Sequence, residues 1–361
     1  MTIDEKNILW LDVFEFLTYN KKEKLLKVVG KNNDIRKEFL KNPAIKEILN
    51  EQEFKKMAVC LEDLFLERVL EDYRTSNVEC VTFYDKRYPY ILKEISTPPF
   101  CLYCKGNIQL LNSFCIGIVG SRKPSEYGLV VTKQYAKALA TNGVTVVSGL
   151  AIGVDTISHK TTIEEAGNTI AVLGGGFKHI YPAININLAN KITENNLLVS
   201  EYAPNTTPQT YYFPARNRII AGLSRAVVLT EAGIKSGALK TADYAIEYNR
   251  DIFIVPGRIN SETSKGTNNL IKNLQGSITL DPSDILELYG IETNNKTKNL
   301  AIQLDMDNQI ILDYIKTDKK SFQEIADYTK IPIKELNSIL LELEMDGTII
   351  KLAGNCYIKS Q

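Results

Sequence analysis

From residue 5 to 74, apolar residues recur every three or four positions, as in "ILWLDVFEFL" and "EILNEQEFKKMAVCLEDLFLERVL". That spacing predicts a run of amphipathic helices. The rhythm breaks over 76–110, a stretch rich in Pro and Tyr that reads as a connector with short strands. From 114 onward it changes again. "FCIGIVG", "VTVVSGL", "NTIAVLGGG", "NLLVSEY", "RAVVLTEAG", "RDIFIVPG" and "GSITLD" are short apolar runs, with helical stretches such as "YGLVVTKQYAKALATNG" between most of them. Buried strands alternating with helices predict a doubly wound, mostly parallel α/β sheet over 111–289. Such sheets place ligands beyond the carboxyl ends of their strands.

Past that domain, 290–305 is a linker by composition, containing the polar "ETNNKTKN". Three short helical patterns follow, at 307–316, 321–328 and 332–345, and then two strand-like pieces around Gly354-Asn355, which suit a tight turn. Three helices and a hairpin predict a winged helix over 306–361. The expected organisation is therefore an N-terminal helical domain (1–75), a connector (76–110), the α/β domain (111–289), the linker and the winged helix.

Composition adds limits. The 361 residues are 44% hydrophobic and 24% charged, ordinary for a globular protein. No apolar run approaches the roughly 18–20 residues of a membrane span. "MTIDEKNILW" has acids early and no cationic region before an apolar core, so it does not read as a signal peptide. The six cysteines show no framework spacing and read as reduced thiols, which points to a cytoplasmic protein. Cys101 and Cys104 form a lone C-x-x-C without the second pair a zinc ribbon needs, so no metal site is expected. Basic and acidic residues balance at 43 each, but residues 100–290 hold 17 basic against 14 acidic, a net +3. A nucleic-acid surface, if present, must be a local patch in that segment.

The strand ends carry the candidate chemistry. In "GIVGSRKPSEYG", Gly120 allows close backbone approach, Ser121 offers a hydroxyl and Arg122 a two-pronged donor for phosphate, with a helix N-terminus aimed at the same spot. The spacing is neither G-x-G-x-x-G nor a P-loop, and the plain alternative is a tight turn with a solvated arginine. "SGLAIGVDTISH" and "LGGGFKHIYP" supply room at Gly149, Gly153 and Gly174–Gly176 and a cation at Lys178. Asp155 and His159 lie four apart on an expected helix and are spaced to hydrogen-bond; a structural pair is the plainer reading, because no nucleophile is evident nearby.

In "YYFPARNRIIAGLS", Pro214 suits a first helical turn and Phe213 sits at the helix mouth, placed to stack a base or to fill the core. Arg216 and Arg218 fall about 200° apart on a regular helix, so both cannot face one ligand; one is expected on phosphate and the other against the carboxylates of "SEY" or "TEAG". In "TEAGIKSGALKTA", Ser236 and Gly237 precede an Ala-rich helix with free N–H groups, Lys235 and Lys240 add positive charge, and Glu231 is the carboxylate that invites an enzymatic reading. A dinucleotide needs one glycine-rich turn. A row of donors along one rim suits the successive phosphates of a polymer, bound without sequence readout.

Taken together, "GIVGSRKPSEYG", "SGLAIGVDTISH", "AVLGGGFKHIYP", "LLVSEYAPNTTP", "FPARNRIIAGLS", "EAGIKSGALKTADYA" and "FIVPGRINSETSKGTNNLI" closely resemble, in order, the bacterial DNA-processing protein A (DprA/Smf) family over roughly 80–290. The resemblance implies a Rossmann-like domain that dimerises and binds single-stranded DNA, protects incoming strands and loads RecA recombinase during natural transformation, without catalysis or a cofactor. It carries strand contacts onto Gly120, Ser121 and Arg122, onto Phe213, Arg216, Asn217 and Arg218, and onto Lys178. Ser236, Gly237 and Lys240 join them from the reading of the strand ends.

The N-terminal region is similar to the sterile-alpha-motif-like domain of some members, although residues 1–75 lack a clear Gly-hydrophobic-Gly hairpin. The winged helix resembles that of many members. Its third helix sets Lys334 against Glu335, Glu342, Glu344 and Asp346, a face that phosphates repel, so it is expected to contact protein rather than DNA. The rival reading is a nucleotide phosphoribohydrolase of the lysine-decarboxylase-like group. Its P-G-G-x-G-T-x-x-E motif is missing; "TEAGIKSGALKTAD" takes a comparable place, with Asp243 where the last Glu falls.

Overall fold

The computed structural model describes residues 1–291, 306–315, 318–352 and 354–360. It divides into two units, Met1–Thr293 and Asn294–Gln361. Most of the expected linker at 290–305 lies outside the described residues.

The first unit is organised by nine strands: β1 (Glu79–Thr82), β2 (Cys101–Gly106), β3 (Cys115–Val119), β4 (Thr145–Ser148), β5 (Thr169–Leu173), β6 (Leu197–Ser200), β7 (Ala226–Leu229), β8 (Asp251–Ile254) and β9 (Ser277–Ile278). Their order is β1-β2-β6-β5-β4-β3-β7-β8-β9. The strands from β6 across to β9 are parallel; Ile116 of β3, for example, pairs with Val146 on one side and Ala226 on the other. Every residue of β3 to β7 is buried, as expected for strands covered by helices on both faces. The chain leaves β3 toward β4 on one side and later returns to β7 on the other. The switch point of the sheet therefore lies beside β3, where a crevice opens.

The stretch read as a connector belongs to this sheet. β1 pairs antiparallel with β2, and β2 antiparallel with β6. Cys101 and Cys104 are buried within β2. Four successive residues of β2, Cys101–Cys104, are buried because the strand is covered on both sides. The Pro- and Tyr-rich flanks hid this: they form the turns that bring a short hairpin back onto the sheet.

Residues 3–75 form six helices: Ile3–Asp12, Tyr19–Val29, Ile35–Glu38, Pro43–Ile48, Glu51–Ala58 and Asp63–Thr75. Thr2, Thr18, Asp34, Asn42 and Asn50 cap the first five with side-chain oxygens. Trp10 is fully buried and meets Phe14 and Phe39 edge-on. This core runs into the sheet: Tyr73 meets Tyr103 of β2 edge-on, and Tyr103 donates to Asp12 at 2.8 Å.

The second unit has helices Met306–Ile315, Phe322–Thr329 and Ile333–Met345 and three short strands, β10 (Lys320–Ser321), β11 (Ile349–Leu352) and β12 (Cys356–Lys359), ordered β10-β12-β11. Gly354 and Asn355 both take positive φ in the turn between the last two strands. This is a winged helix. On its third helix Lys334, Glu335 and Glu342 are exposed.

Candidate nucleic-acid interface

The crevice at the switch point is a cavity of about 110 Å³. Gly120 and Arg122 reach it from the loop after β3, Ala151 from the loop after β4, Asp155 from helix Val154–Glu164, Ser236 and Gly237 from the loop after β7, and Lys240 from the helix that follows it. Phe213, Arg216 and Asn217 enter from helix Tyr212–Leu223. A smaller neighbouring hollow of about 50 Å³ is lined by Arg122, Gly149, Ile152, Tyr181, Phe213 and Arg216.

Arg122 is exposed and has no ion-pair partner among the described residues. The loop that presents it is fixed by its backbone. Ser121 N donates to Glu231 O at 2.7 Å, and Val154 N donates to Ser121 O at 3.1 Å. Glu231, fully buried, accepts from Ser125 N and Ser125 Oγ at 2.7 Å each and from Thr263 Oγ1 at 2.6 Å. Both its oxygens are thus engaged in tying three loops together, which is the structural use of the carboxylate that invited an enzymatic reading. Asp243 is paired with Lys240 at 3.1 Å on the surface.

Arg216 is only 4% exposed. Its Nη1 donates to the carbonyls of Gly149 and Val172, and its Nε to Asn217 Oδ1 at 3.2 Å. Burial, opposed by the charge of Asp155, pushes the guanidinium pKa down to about 10, so it stays a cation. A Cβ on Gly149 would lie 2.5 Å from this guanidinium, which explains glycine there. Phe213 is half-buried and tilted against exposed Tyr181 at 5.2 Å between centroids, leaving aromatic surface beside both cations. On the far side, Asn217 Nδ2 donates to Gly237 O at 3.3 Å and Ser236 Oγ accepts from Ala238 N at 3.3 Å, at the start of helix Ala238–Glu247. The wall carries the guanidiniums of Arg122 and Arg216 and, paired with Asp243, the Lys240 ammonium; the N–H groups expected to be free at the start of this helix are bonded within its own turn, Ala238 N to Ser236 Oγ, Leu239 N to Ser236 O and Lys240 N to Gly237 O.

Three of the expected strand contacts do not line the crevice: Ser121, whose Oγ accepts from Lys123 N at 3.0 Å, and two that lie elsewhere. Arg218 points away from the crevice and contacts Glu201, as the angular separation from Arg216 on one helix requires. Lys178 is exposed on a different surface beside Phe177 and Pro204, its Nζ 3.9 Å from Asp72. The glycine-rich end of β5 turns it outward and sends Tyr181 to the crevice instead. Tyr181 was missed by sequence reasoning; its signal was an aromatic residue closing a glycine-rich strand end.

Asp155 and His159 do not bond each other. Asp155 Oδ2 accepts from Gly149 N at 3.1 Å and Ala151 N at 3.3 Å, while His159 Nδ1 lies 2.7 Å from Thr169 Oγ1. Burial pushes the Asp155 carboxyl up against the opposing pull of Arg216. Burial, then the charge of Arg216, push His159 down to about 3. The folded chain therefore keeps this ring neutral where the unfolded chain protonates near pH 6.5. Its contribution to stability is complete above that pH and is lost as pH falls toward 3, at about 1.4 kcal/mol per pH unit. Urea unfolding at pH 7 and pH 5 is expected to show this slope, and His159→Gln to flatten it.

An open, mostly parallel sheet with a cation-lined crevice at its switch point, followed by a winged helix, defines a Rossmann-like protein. Family models match on both parts: DNA recombination-mediator protein A over residues 79–290, and the DprA winged helix domain over 295–355. The chain belongs to the DNA-processing protein A (DprA/Smf) family. It is 43% identical over 208 residues to DNA processing protein DprA of Bacillus subtilis, covering 57% of this chain and 70% of that one. With Protein Smf of Escherichia coli it shares 35% over 282 residues, 75% of each chain. The crystal structure of Streptococcus pneumoniae DNA processing protein A superposes with a TM-score of 0.66 at 32% identity, covering 80% of this chain and 98% of that one. A Helicobacter pylori DNA processing protein A, solved for its single-stranded DNA binding mode, gives 0.55 at 30% identity over 60% and 97%.

Proposed function

We propose that this protein binds single-stranded DNA in the switch-point crevice, protects it, and loads RecA recombinase onto it during natural transformation, acting in the cytoplasm as a homodimer and without catalysis. The observation that carries the strand-binding reading is Arg122, an exposed guanidinium with no ion-pair partner among the described residues, lining the same hollow as buried Arg216 and the Phe213–Tyr181 aromatic pair. A polyanion with stackable bases fits that combination. The structure of the Helicobacter pylori relative supports it. The phosphoribohydrolase reading finds no support in Glu231 or Asp243, whose carboxylates are committed to loop ties and a surface pair. Among the described residues no helix is long and apolar enough to cross a membrane.

The test is a gel shift with oligodeoxythymidine. Arg122→Ala is expected to weaken binding about tenfold and to reduce the salt dependence by about 0.7 in log–log slope, the value for one phosphate contact on a single strand. An unchanged affinity and slope would remove Arg122 from the interface.

A further inference from the structure

Beyond the crevice the carboxyl rim of the sheet continues. β3, β7 and β8 are parallel neighbours, so their ends follow one another at about 4.8 Å per strand. The loops that leave them are bound into one surface. Glu231, in the second loop, holds Ser125 of the first and Thr263 of the third. Gly266 N donates to Ala232 O at 2.8 Å, and the Tyr127 hydroxyl donates to Pro256 O at 2.9 Å. A Cβ on Gly233 would lie 3.0 Å from Glu262 O, so the second and third loops approach closely.

Each loop carries a cation that lines neither the crevice nor its neighbouring hollow: Lys123, Lys235 and Arg258. All three are exposed, and none has an ion-pair or side-chain hydrogen-bond partner among the described residues. The carboxylates nearby do not cancel them. Glu231 is buried in the loop ties, and Glu262 pairs with Lys265. Glu126 is exposed without an ion-pair partner among the described residues, which sets one free carboxylate against three free cations.

The surface among these cations is apolar. Tyr127, Ile234 and Ile259 are all exposed, and the Tyr127 ring bridges from the start of its helix to the loop after β8. A compact anion would need one cluster of donors. Cations set singly on successive loops, with apolar side chains between, suit a flexible chain that presents phosphates at intervals and bases among them. Lys235 directly precedes Ser236, which lines the crevice, so this surface begins where the crevice ends.

We propose that a bound single strand continues from the switch-point crevice across the loops after β3, β7 and β8, with Lys123, Lys235 and Arg258 each holding a phosphate. The proposal rests on the strand-binding reading of the crevice and sets how much strand one chain covers.

The test measures the affinity of the full chain for oligodeoxythymidine of about 4 and about 16 nucleotides, the span of site sizes for grooves that bind single strands. The triple variant Lys123→Gln, Lys235→Gln, Arg258→Gln is expected to bind the long strand about tenfold more weakly. Its log–log salt slope should fall by about 2, for three contacts at about 0.7 each. The short strand should bind as it does to the native chain. Removing the same charge from the N-terminal domain, in Lys24→Gln, Lys31→Gln, Lys41→Gln, is expected to leave both lengths unchanged. Native long-strand affinity and slope in the first triple variant overturn the proposal and leave these cations to another partner, such as an acidic protein surface. An equal loss at both lengths, or an equal loss in the N-terminal variant, also overturns it, because net charge alone then accounts for the effect. Failure of the crevice reading shows separately, as unchanged affinity at both lengths in Arg122→Ala.

Discussion

Arg216→Met is expected to destabilise the protein by about 3–5 kcal/mol, the range for removing one partner from a buried charge arrangement, and to lower oligonucleotide affinity at least tenfold. The side chain is almost completely enclosed, and its Nη1 joins the carbonyls of Gly149 and Val172 at the ends of β4 and β5. Without it those carbonyls lose their donor, and Asp155 loses the cation that offsets its burial. Loss of strand binding follows from geometry as well as charge, because the guanidinium lines the same hollow as Arg122 and Phe213. Arg216→Lys is not expected to rescue it, since a single ammonium on a flexible stem does not reproduce the planar fork. Urea unfolding and a gel shift below the melting range measure the two effects. An unfolding midpoint within error of the native chain would show that the buried guanidinium is not the tie described.

Gly153→Ala is expected to have the second largest effect on strand binding, with no change in charge. Gly153 has φ +83°, and a Cβ there would lie 2.4 Å from Ser121 O and 2.7 Å from the Arg122 carbonyl. The left-handed conformation alone costs a non-glycine residue about 1–2 kcal/mol. The clash is with backbone, so no side chain can swing away; the loop carrying Ser121 and Arg122 must move. The expected outcome is roughly tenfold weaker oligonucleotide binding with far-UV circular dichroism unchanged. Native affinity in Gly153→Ala would mean that the position of this loop does not govern capture.

The parallel strands were legible because β3 to β7 are continuous apolar runs ending in Gly or polar residues, and the winged helix because its periodicity and the Gly354-Asn355 turn agree. The antiparallel pair β1–β2 was not legible as part of the sheet. Its partners are set by tertiary contacts with the N-terminal helices, and "PPFCLYCKGN" shows no alternation when both faces are covered. At the site, residues fixed by backbone geometry were readable: Gly120, Arg122, Phe213, Arg216 and the Ser236-Gly237 turn. Helical angle alone gave the split between Arg216 and Arg218, but not which of them faces the crevice. Side chains whose direction depends on a loop path were not readable, so Lys178 was placed at the crevice and Tyr181 was not. The Asp155–His159 pairing failed for the same reason. Helical spacing brings the two residues near each other, yet nearby backbone N–H groups and the Thr169 hydroxyl claimed them first.

Glu231 clamps the turns after β3, β7 and β8 into one body through Ser125 and Thr263. A cradle fastened in this way has little to rearrange when a ligand arrives. Capture should then be governed by diffusion and long-range attraction, with an association rate constant near the upper end for steered encounters, about 10⁸ M⁻¹s⁻¹ at low salt, and the lifetime of the complex should carry most differences among oligonucleotides.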